Sequence, residues 1–194
     1  MYNANNTIDT EAMDTLDHAH FAAIPWCARH LQGDRIITAA PLCRTLKPAE
    51  EDSLFADTLN SRRGIFRMLQ VYQKPLSPTE RVDEVKTFLT LGSGLNGYPS
   101  VCHGGLVMTI LDEVISHLVP INQDRGTVPS GAHMTAYLNT NFIKPVSTPA
   151  TILTRARFTK VEGRKYFMQG TVEDENGIIL AQADALFVLL KSSL

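Results

Sequence analysis

The longest apolar pattern in the chain covers residues 101–119, where hydrophobic side chains occupy most positions from a His-Gly-Gly turn onward. A stretch of this kind is typical of a buried helix, so charged residues within it need a partner or a function. Two adjacent carboxylates, Asp112 and Glu113, lie in its middle. The pattern therefore predicts a central helix and directs the search for chemistry to these two residues.

Strand patterns lie on both sides of this helix. They alternate apolar with polar residues and are rich in β-branched and aromatic types. The predicted strands are residues 64–73, 84–91, 133–143, 151–161, 165–173 and 178–190. We expect an α+β fold in which an antiparallel sheet of five to six strands, connected as a meander, wraps around the one central helix.

The N-terminal part differs from the rest of the chain in composition and in its hydrophobic pattern. Residues 1–16 are polar and acidic, which predicts a disordered tail. Residues 17–60 contain two helical patterns, the second of which begins near Pro48 with acidic residues in its first turn. We expect a helical extension over 17–60, rich enough in large apolar residues to close over a ligand as a lid, followed by the main domain over 61–194.

Composition narrows the classes of function. The 194 residues carry a net charge of −2 and three cysteines without metal-ligand spacing, and no signal-like apolar segment follows the first methionine. These features favour a cytoplasmic protein without disulfides or a membrane span. A local excess of basic residues after residue 143 suits a polyanionic small ligand but is too small for a nucleic-acid surface.

Two segments together resemble a known family. NGYPSVCHGGLVMTILDEV, from residue 96, and MTAYLNTNFIKPV, from residue 134, are similar to the hotdog-fold acyl-CoA thioesterases of the phenylacetate type. The match covers about residues 62–190, and the N-terminal extension resembles fungal members. Its core is His-Gly-Gly with an aspartate nine positions after the histidine. The resemblance implies hydrolysis of an acyl-CoA or acyl-carrier thioester to a carboxylic acid and a free thiol, with no cofactor.

The resemblance also implies catalytic roles. Asp112 would act as general base on water or as nucleophile, Gly104 would provide an oxyanion-hole N–H, and Thr135 would hold the water or the carboxylate. His103 would orient its loop or touch the thioester, with a structural role at the helix start as the alternative. Asn96 would polarise the carbonyl, but it lies seven residues before His103 where the family has six, so a turn-forming role is the alternative.

Glu113 is the rival to Asp112. Neighbouring helix positions point about 100° apart, so only one of the pair can face a cleft well. The family spacing selects Asp112, which leaves Glu113 as a packing or contact residue. Glu113 and His117 are four residues apart and could share a metal ion, but the sequence offers no third ligand. No metal site is predicted.

The family's assembly would complete the site. The resemblance implies a homodimer, or a tetramer, in which two sheets become continuous. Asp112 and Thr135 of one chain would then face Gly104 and His103 of the other, with Asn96 as a further candidate on that side. The substrate would contact the backbone near Gly105, and its nucleotide phosphates would lie near basic side chains. The candidates for that contact are Arg155, Arg157, Arg164 and Lys165.

Two other functions stay open at this stage. A hotdog dehydratase or hydratase also pairs a histidine with a helix carboxylate across a dimer, but its Pro-Gly at the helix start is missing here. A non-catalytic acyl-binding protein would keep the fold without the chemistry. Release of free thiol from acyl-CoAs separates these functions.

Overall fold

A computed structural model describes residues 6–191 of the chain. The strands in this range are β1 (Ile36–Ala39), β2 (Ile65–Gln73), β3 (Glu84–Leu91), β4 (Asn96–Tyr98), β5 (Val101–Cys102), β6 (His133–Phe142), β7 (Ala150–Glu162), β8 (Lys165–Glu173) and β9 (Ile179–Leu189). The α-helices are α1 (Asn6–Ala22), α2 (Pro25–Ala28), α3 (Gly104–Ser116) and α4 (Leu118–Asp124). Short 3-10 turns cover Leu42–Arg44 and Ser93–Leu95, and a π-helical turn covers Leu54–Thr58.

Seven strands form one antiparallel sheet in the order β1-β2-β3-β7-β8-β9-β6. The six predicted strands are confirmed, each within one residue of its predicted ends. The simple meander is wrong, because β3 pairs with β7, and β6 pairs with β9 at the far edge of the sheet. Pairing between segments distant in the chain leaves no local pattern that could predict it.

Helix α3 lies across one face of this sheet. Leu111 and Ile115, one turn apart, are fully buried against it. Gly170 on β8 permits the close approach, since a Cβ there would lie 2.6 Å from Cγ1 of Ile115. The predicted central helix is confirmed, although it begins at Gly104 and is interrupted at His117 before α4 continues.

The combined helical stretch Gly104–Asp124 is long and apolar enough to cross a membrane by length and composition alone. A core helix meets the same criterion. Here the apolar residues of α3 belong to the main hydrophobic core with the inward-facing residues of the sheet, which is the arrangement expected of a core helix.

The N-terminal extension departs most from the prediction. Residues 6–16, predicted to be a disordered tail, lie in helix α1, while residues 1–5 are outside the described range. Strand β1 occupies part of the extension that was predicted to be helix or loop, and it forms the second edge of the sheet. The helix predicted from Pro48 is reduced to one π-helical turn, because Glu50 and Asp52 both have a φ of 61°.

Helices α1 and α2 cover the sheet face opposite α3. Phe21 of α1 stacks on Phe88 of β3 with ring centroids 5.5 Å apart, and Trp26 of α2 meets the same ring edge-on at 5.4 Å. Oδ1 of Asp17 in α1 lies 3.4 Å from Nη1 of Arg67 in β2, which makes an ion pair between the helix and the sheet. These contacts explain why α1 forms despite its polar sequence. They also place Phe21 and Trp26 away from the position of a lid over α3.

Candidate active site

Asp112 and Thr135 meet where α3 passes the edge strand β6. The Thr135 hydroxyl donates a hydrogen bond of 2.8 Å to Oδ1 of Asp112. Both side chains are accessible to solvent, and within residues 6–191 no second hydrogen bond reaches this carboxylate. Asp112 therefore has one oriented oxygen and one oxygen available for a ligand, which is the arrangement that a general base requires.

The other end of α3 is built around His103. Its Nδ1 accepts a hydrogen bond of 3.0 Å from the backbone N–H of Gly105, which caps the helix. A Cβ at position 105 would lie 3.1 Å from this nitrogen, so the cap favours glycine there. Because Nδ1 is the acceptor, the neutral ring carries its proton on Nε2 and can donate it from an exposed position.

Gly104 differs from Gly105. Its N–H meets no acceptor within the described part of the chain, whereas the N–H of Gly105 is occupied by His103. A Cβ at Gly104 would contact only the ring of Phe142, at an ordinary distance of 3.5 Å. The packing of the chain therefore does not require glycine at position 104, whereas an open N–H at the positive end of a helix suits a developing oxyanion.

Asn96 lies beside the same turn. It pairs with Cys102, the residue before His103, and the Thr148 hydroxyl donates a hydrogen bond to its Oδ1. This bond fixes the orientation of the amide and leaves its NH2 group as a donor for an external acceptor. Close packing of the turn depends on Gly97, since a Cβ there would lie 3.0 Å from Cα of His103. The structure thus brings Asn96 and His103 together.

The two groups are too far apart to act together within one chain. Asp112 and Gly104 are eight residues apart on one helix, which separates their backbones by about 12 Å. A base and an oxyanion donor must each reach the same carbonyl group across about 3 Å. A single chain therefore presents two half-sites, the Asp112–Thr135 pair and the turn of Asn96, His103 and Gly104.

Arg155 and Arg157 lie elsewhere. Ala156 between them is buried in the core on the α3 side, so the two arginines point to the opposite face of the sheet. There Nε of Arg155 donates a hydrogen bond of 2.8 Å to Oε1 of Glu173. Nη2 of Arg157 donates a hydrogen bond of 2.8 Å to Oε1 of Gln169. The structure does not bring this pair to either half-site of its own chain.

Arg164 lies in the connection between β7 and β8, and Lys165 is the first residue of β8. The Arg164 guanidinium donates to the backbone carbonyl of Leu189 at 2.8 Å, and Lys165 is exposed. Leu189 pairs with His133 at the start of β6, so this connection lies at the end of the sheet that also carries Thr135. Of the four predicted basic residues, these two are the ones placed at that end.

A further cluster lies at the C-terminal end of α3, around Glu113 and His117. Nε2 of His117 lies 3.3 Å from Oε1 of Glu113 and 3.6 Å from Sγ of Cys43, and the three donor atoms lie within 4.8 Å of one another. The interpretation that Glu113 and His117 lack a third partner is wrong. No local pattern could predict this contact, because Cys43 precedes His117 by 74 residues.

Burial and hydrogen bonds shift the pKa values of the groups in this cluster. Burial and the Glu113 carboxylate raise the pKa of the Cys43 thiol. Burial alone would raise the pKa of Glu113, but hydrogen bonds from His117 and Cys43 outweigh it and lower that pKa. Glu113 is therefore a half-buried anion whose hydrogen-bond partners belong to its own chain, as expected of a residue outside the catalytic step.

Comparisons with known proteins show what this chain is similar to. Residues 100–181 match the family model described as thioesterase superfamily. An acyl-coenzyme A thioesterase, THEM4 of Bos taurus, is 32% identical over 111 residues, which are 56% of this chain and 43% of that protein. The chain thus matches less than half the length of this relative. Verlamelin biosynthesis protein B of a Lecanicillium species is 28% identical over 166 residues, 70% of this chain and 71% of that protein.

The fold is shared with solved structures. A crystal structure of a thioesterase superfamily protein superposes with a TM-score of 0.50 at 24% sequence identity, covering 63% of this chain and 53% of that chain. The likeness covers the same architecture of an antiparallel sheet around one central helix. The likeness shows that this chain has the hotdog fold, and the matched family model adds that residues 100–181 are similar to the thioesterase superfamily.

Proposed function

We propose that this protein hydrolyses an acyl thioester, with acyl-CoA as the first substrate class to test. The observation that carries the proposal is the pair of half-sites on α3, an oriented carboxylate at Asp112 and an open backbone N–H at Gly104. The name of the THEM4 relative supports acyl-CoA, and the biosynthetic name of the Lecanicillium relative leaves acyl-carrier thioesters as the second class.

The chemistry follows from the two half-sites. Asp112, oriented by Thr135, accepts a proton from water as the water attacks the thioester carbonyl carbon. The oxygen of the tetrahedral intermediate accepts hydrogen bonds from the N–H of Gly104 and from the amide of Asn96. Collapse expels the thiolate and leaves the carboxylic acid. In the alternative route the Asp112 carboxylate attacks the carbonyl carbon and the thiolate leaves, which gives a mixed anhydride that water then cleaves to the carboxylic acid and free Asp112.

A homodimer would join the half-sites. Strand β6 ends the sheet, and its exposed residues include Met134 and Tyr137. Ten residues of unpaired strand edge are a template for pairing with a second copy. If two β6 strands pair antiparallel about their centre, Thr135 of one chain lies opposite the end of the partner's β6. That end carries Phe142, whose ring lies next to Gly104.

The same pairing explains why the extension lies elsewhere. Helices α1 and α2 cover the opposite face of β2, β3 and β7, and β1 lengthens the sheet at the edge away from β6. The β6 edge is therefore left available for a partner.

The function is tested by measuring free thiol released from a panel of acyl-CoAs and from acyl-carrier thioesters. We expect release by the wild type and its loss in Asp112→Asn, with Asp124→Asn, an exposed carboxylate at the end of α4, as the matched control. Loss of water from hydroxyacyl thioesters without thiol release would assign the protein to the hydratases and dehydratases instead. Tight acyl-CoA binding without turnover would assign it to the acyl-binding proteins.

A further inference from the structure

The cluster of Cys43, Glu113 and His117 takes no part in the proposed hydrolysis. Cys43 comes from the 3-10 turn of the N-terminal extension, whereas Glu113 and His117 come from the end of α3. Their donor atoms nevertheless converge on one point, within 4.8 Å of one another. We propose that these three side chains form a binding site for a divalent transition metal, with zinc as the preferred ion.

The distances support this assignment. In tetrahedral coordination, bond lengths of about 2.3 Å to sulfur and about 2.0 to 2.1 Å to nitrogen and oxygen place sulfur and nitrogen about 3.6 Å apart, and nitrogen and oxygen about 3.4 Å apart. The observed separations from Nε2 of His117 are 3.6 Å to Sγ of Cys43 and 3.3 Å to Oε1 of Glu113. Both pairs already have the spacing of ligands around one zinc ion.

The donor set selects the class of metal. A thiolate with an imidazole suits zinc and related transition metals, whereas magnesium and calcium take oxygen ligands. Three protein ligands leave a fourth tetrahedral position for water. Glu113 borders the open cleft that Asp112 and Thr135 also line, so an ion has a path to the otherwise buried site.

Burial gives the site its rigidity. Cys43 is 3% exposed and His117 is 5% exposed. Nδ1 of His117 has no hydrogen-bond partner within residues 6–191, so the polar contacts of this buried ring are those of Nε2 with the cluster. A metal bound there would join the extension to α3, one residue along the helix from Asp112. We therefore expect it to stabilise the fold rather than take part in the hydrolysis.

The test uses the full, untagged chain after removal of metal with a chelator. On titration with Co²⁺ we expect about one ion bound per chain and a thiolate-to-cobalt charge-transfer band, both reversed by Zn²⁺. Cys43→Ala should lose the band, and Cys27→Ala, which removes a buried thiol far from the cluster, should keep it. Zn²⁺ should raise the Tm of the wild type and of Cys27→Ala, but not that of Cys43→Ala.

A folded wild-type chain without this band, or a band that persists in Cys43→Ala, would overturn the proposal. If Cys43→Ala does not fold, Glu113→Gln and His117→Gln provide the same comparison, and retention of wild-type cobalt affinity in both would overturn it too. Thiol release is measured on the same samples. Because the metal readout needs no substrate, failure of the metal site and failure of the thioesterase proposal are separate results.

Discussion

Asp112 and Glu113 are adjacent in the sequence and occupy opposite environments. Asp112 receives one hydrogen bond, from Thr135, and keeps an accessible oxygen. Glu113 turns toward His117 and Cys43, whose hydrogen bonds lower its pKa despite burial. The rotation of about 100° between neighbouring helix positions is enough to separate a group free for a substrate from a group satisfied by its own chain. The hydrogen-bond partners of each carboxylate therefore distinguish the roles of two such neighbours.

The largest effect is expected for Asp112→Asn. Removal of a positioned base lowers kcat for thiol release by about 10²- to 10⁴-fold. Glu113→Gln, the adjacent and nearly isosteric change, should lower kcat far less. Steady-state kinetics on one acyl-CoA compares the two variants. Equal losses of kcat would contradict the different roles given to these carboxylates.

Gly104→Ala should lower kcat/KM by up to about 10²-fold, the scale of losing one oxyanion donor, because the new methyl group would crowd the space beside the open N–H. The fold should survive, since that methyl group makes only an ordinary contact with Phe142. Gly105→Ala is the contrasting variant, because its methyl group presses on the capping nitrogen of His103 and should also lower Tm. Unchanged kcat/KM in Gly104→Ala would contradict the role of the Gly104 N–H as an oxyanion donor.

Thr135→Val should reduce kcat by about tenfold, because it removes one hydrogen bond to a charged group while keeping the side-chain shape. Thr159→Val, at an exposed position on β7, is the matched control and should leave kcat unchanged. If both variants keep full activity, the Thr135 bond does not orient the base.

Glu113→Gln should act mainly on stability, lowering the free energy of unfolding by about 1 to 3 kcal/mol at neutral pH. The pKa of Glu113 is lowered in the fold, so its ionised form stabilises the native state above the unfolded pKa of about 4.3, and this contribution is lost as pH falls through the lower folded pKa. Denaturant titrations should show the difference between wild type and variant shrinking below about pH 4. A difference that does not change with pH would contradict the ionised state assigned to Glu113.

Much of the fold could be predicted from periodicity. The six strands and the central helix have strong local patterns, and the structure confirms them. Strand β1 was missed because four residues at a sheet edge carry little pattern of their own. The sheet face that carries Arg155 and Arg157 was predictable. Leu153 lies two residues before Arg155 in β7, so the period of two places all three side chains on one face.

The site was predictable only in part. The pairing of Asp112 with Thr135 followed from the family resemblance, and the structure places the two in hydrogen-bond contact. The contact between Cys43 and His117 spans 74 residues and depends on how an irregular segment of the extension packs against α3. No local pattern encodes such a contact, because tertiary packing alone produces it.

The central claim is that Asp112 of one chain acts with Gly104 of another. It can be tested by isolating mixed dimers of Asp112→Asn and Gly104→Ala through two different affinity tags. In such a dimer one site would carry both changes and the other site neither, provided that each site spans the interface.

The measurement is thiol release by these mixed dimers, compared with each parental homodimer under the same conditions. We expect activity to return to about half of the wild-type value, because one of two sites is intact. Activity that stays at the level of the parental variants would contradict the account, since it would place Asp112 and Gly104 in the same site of a single chain.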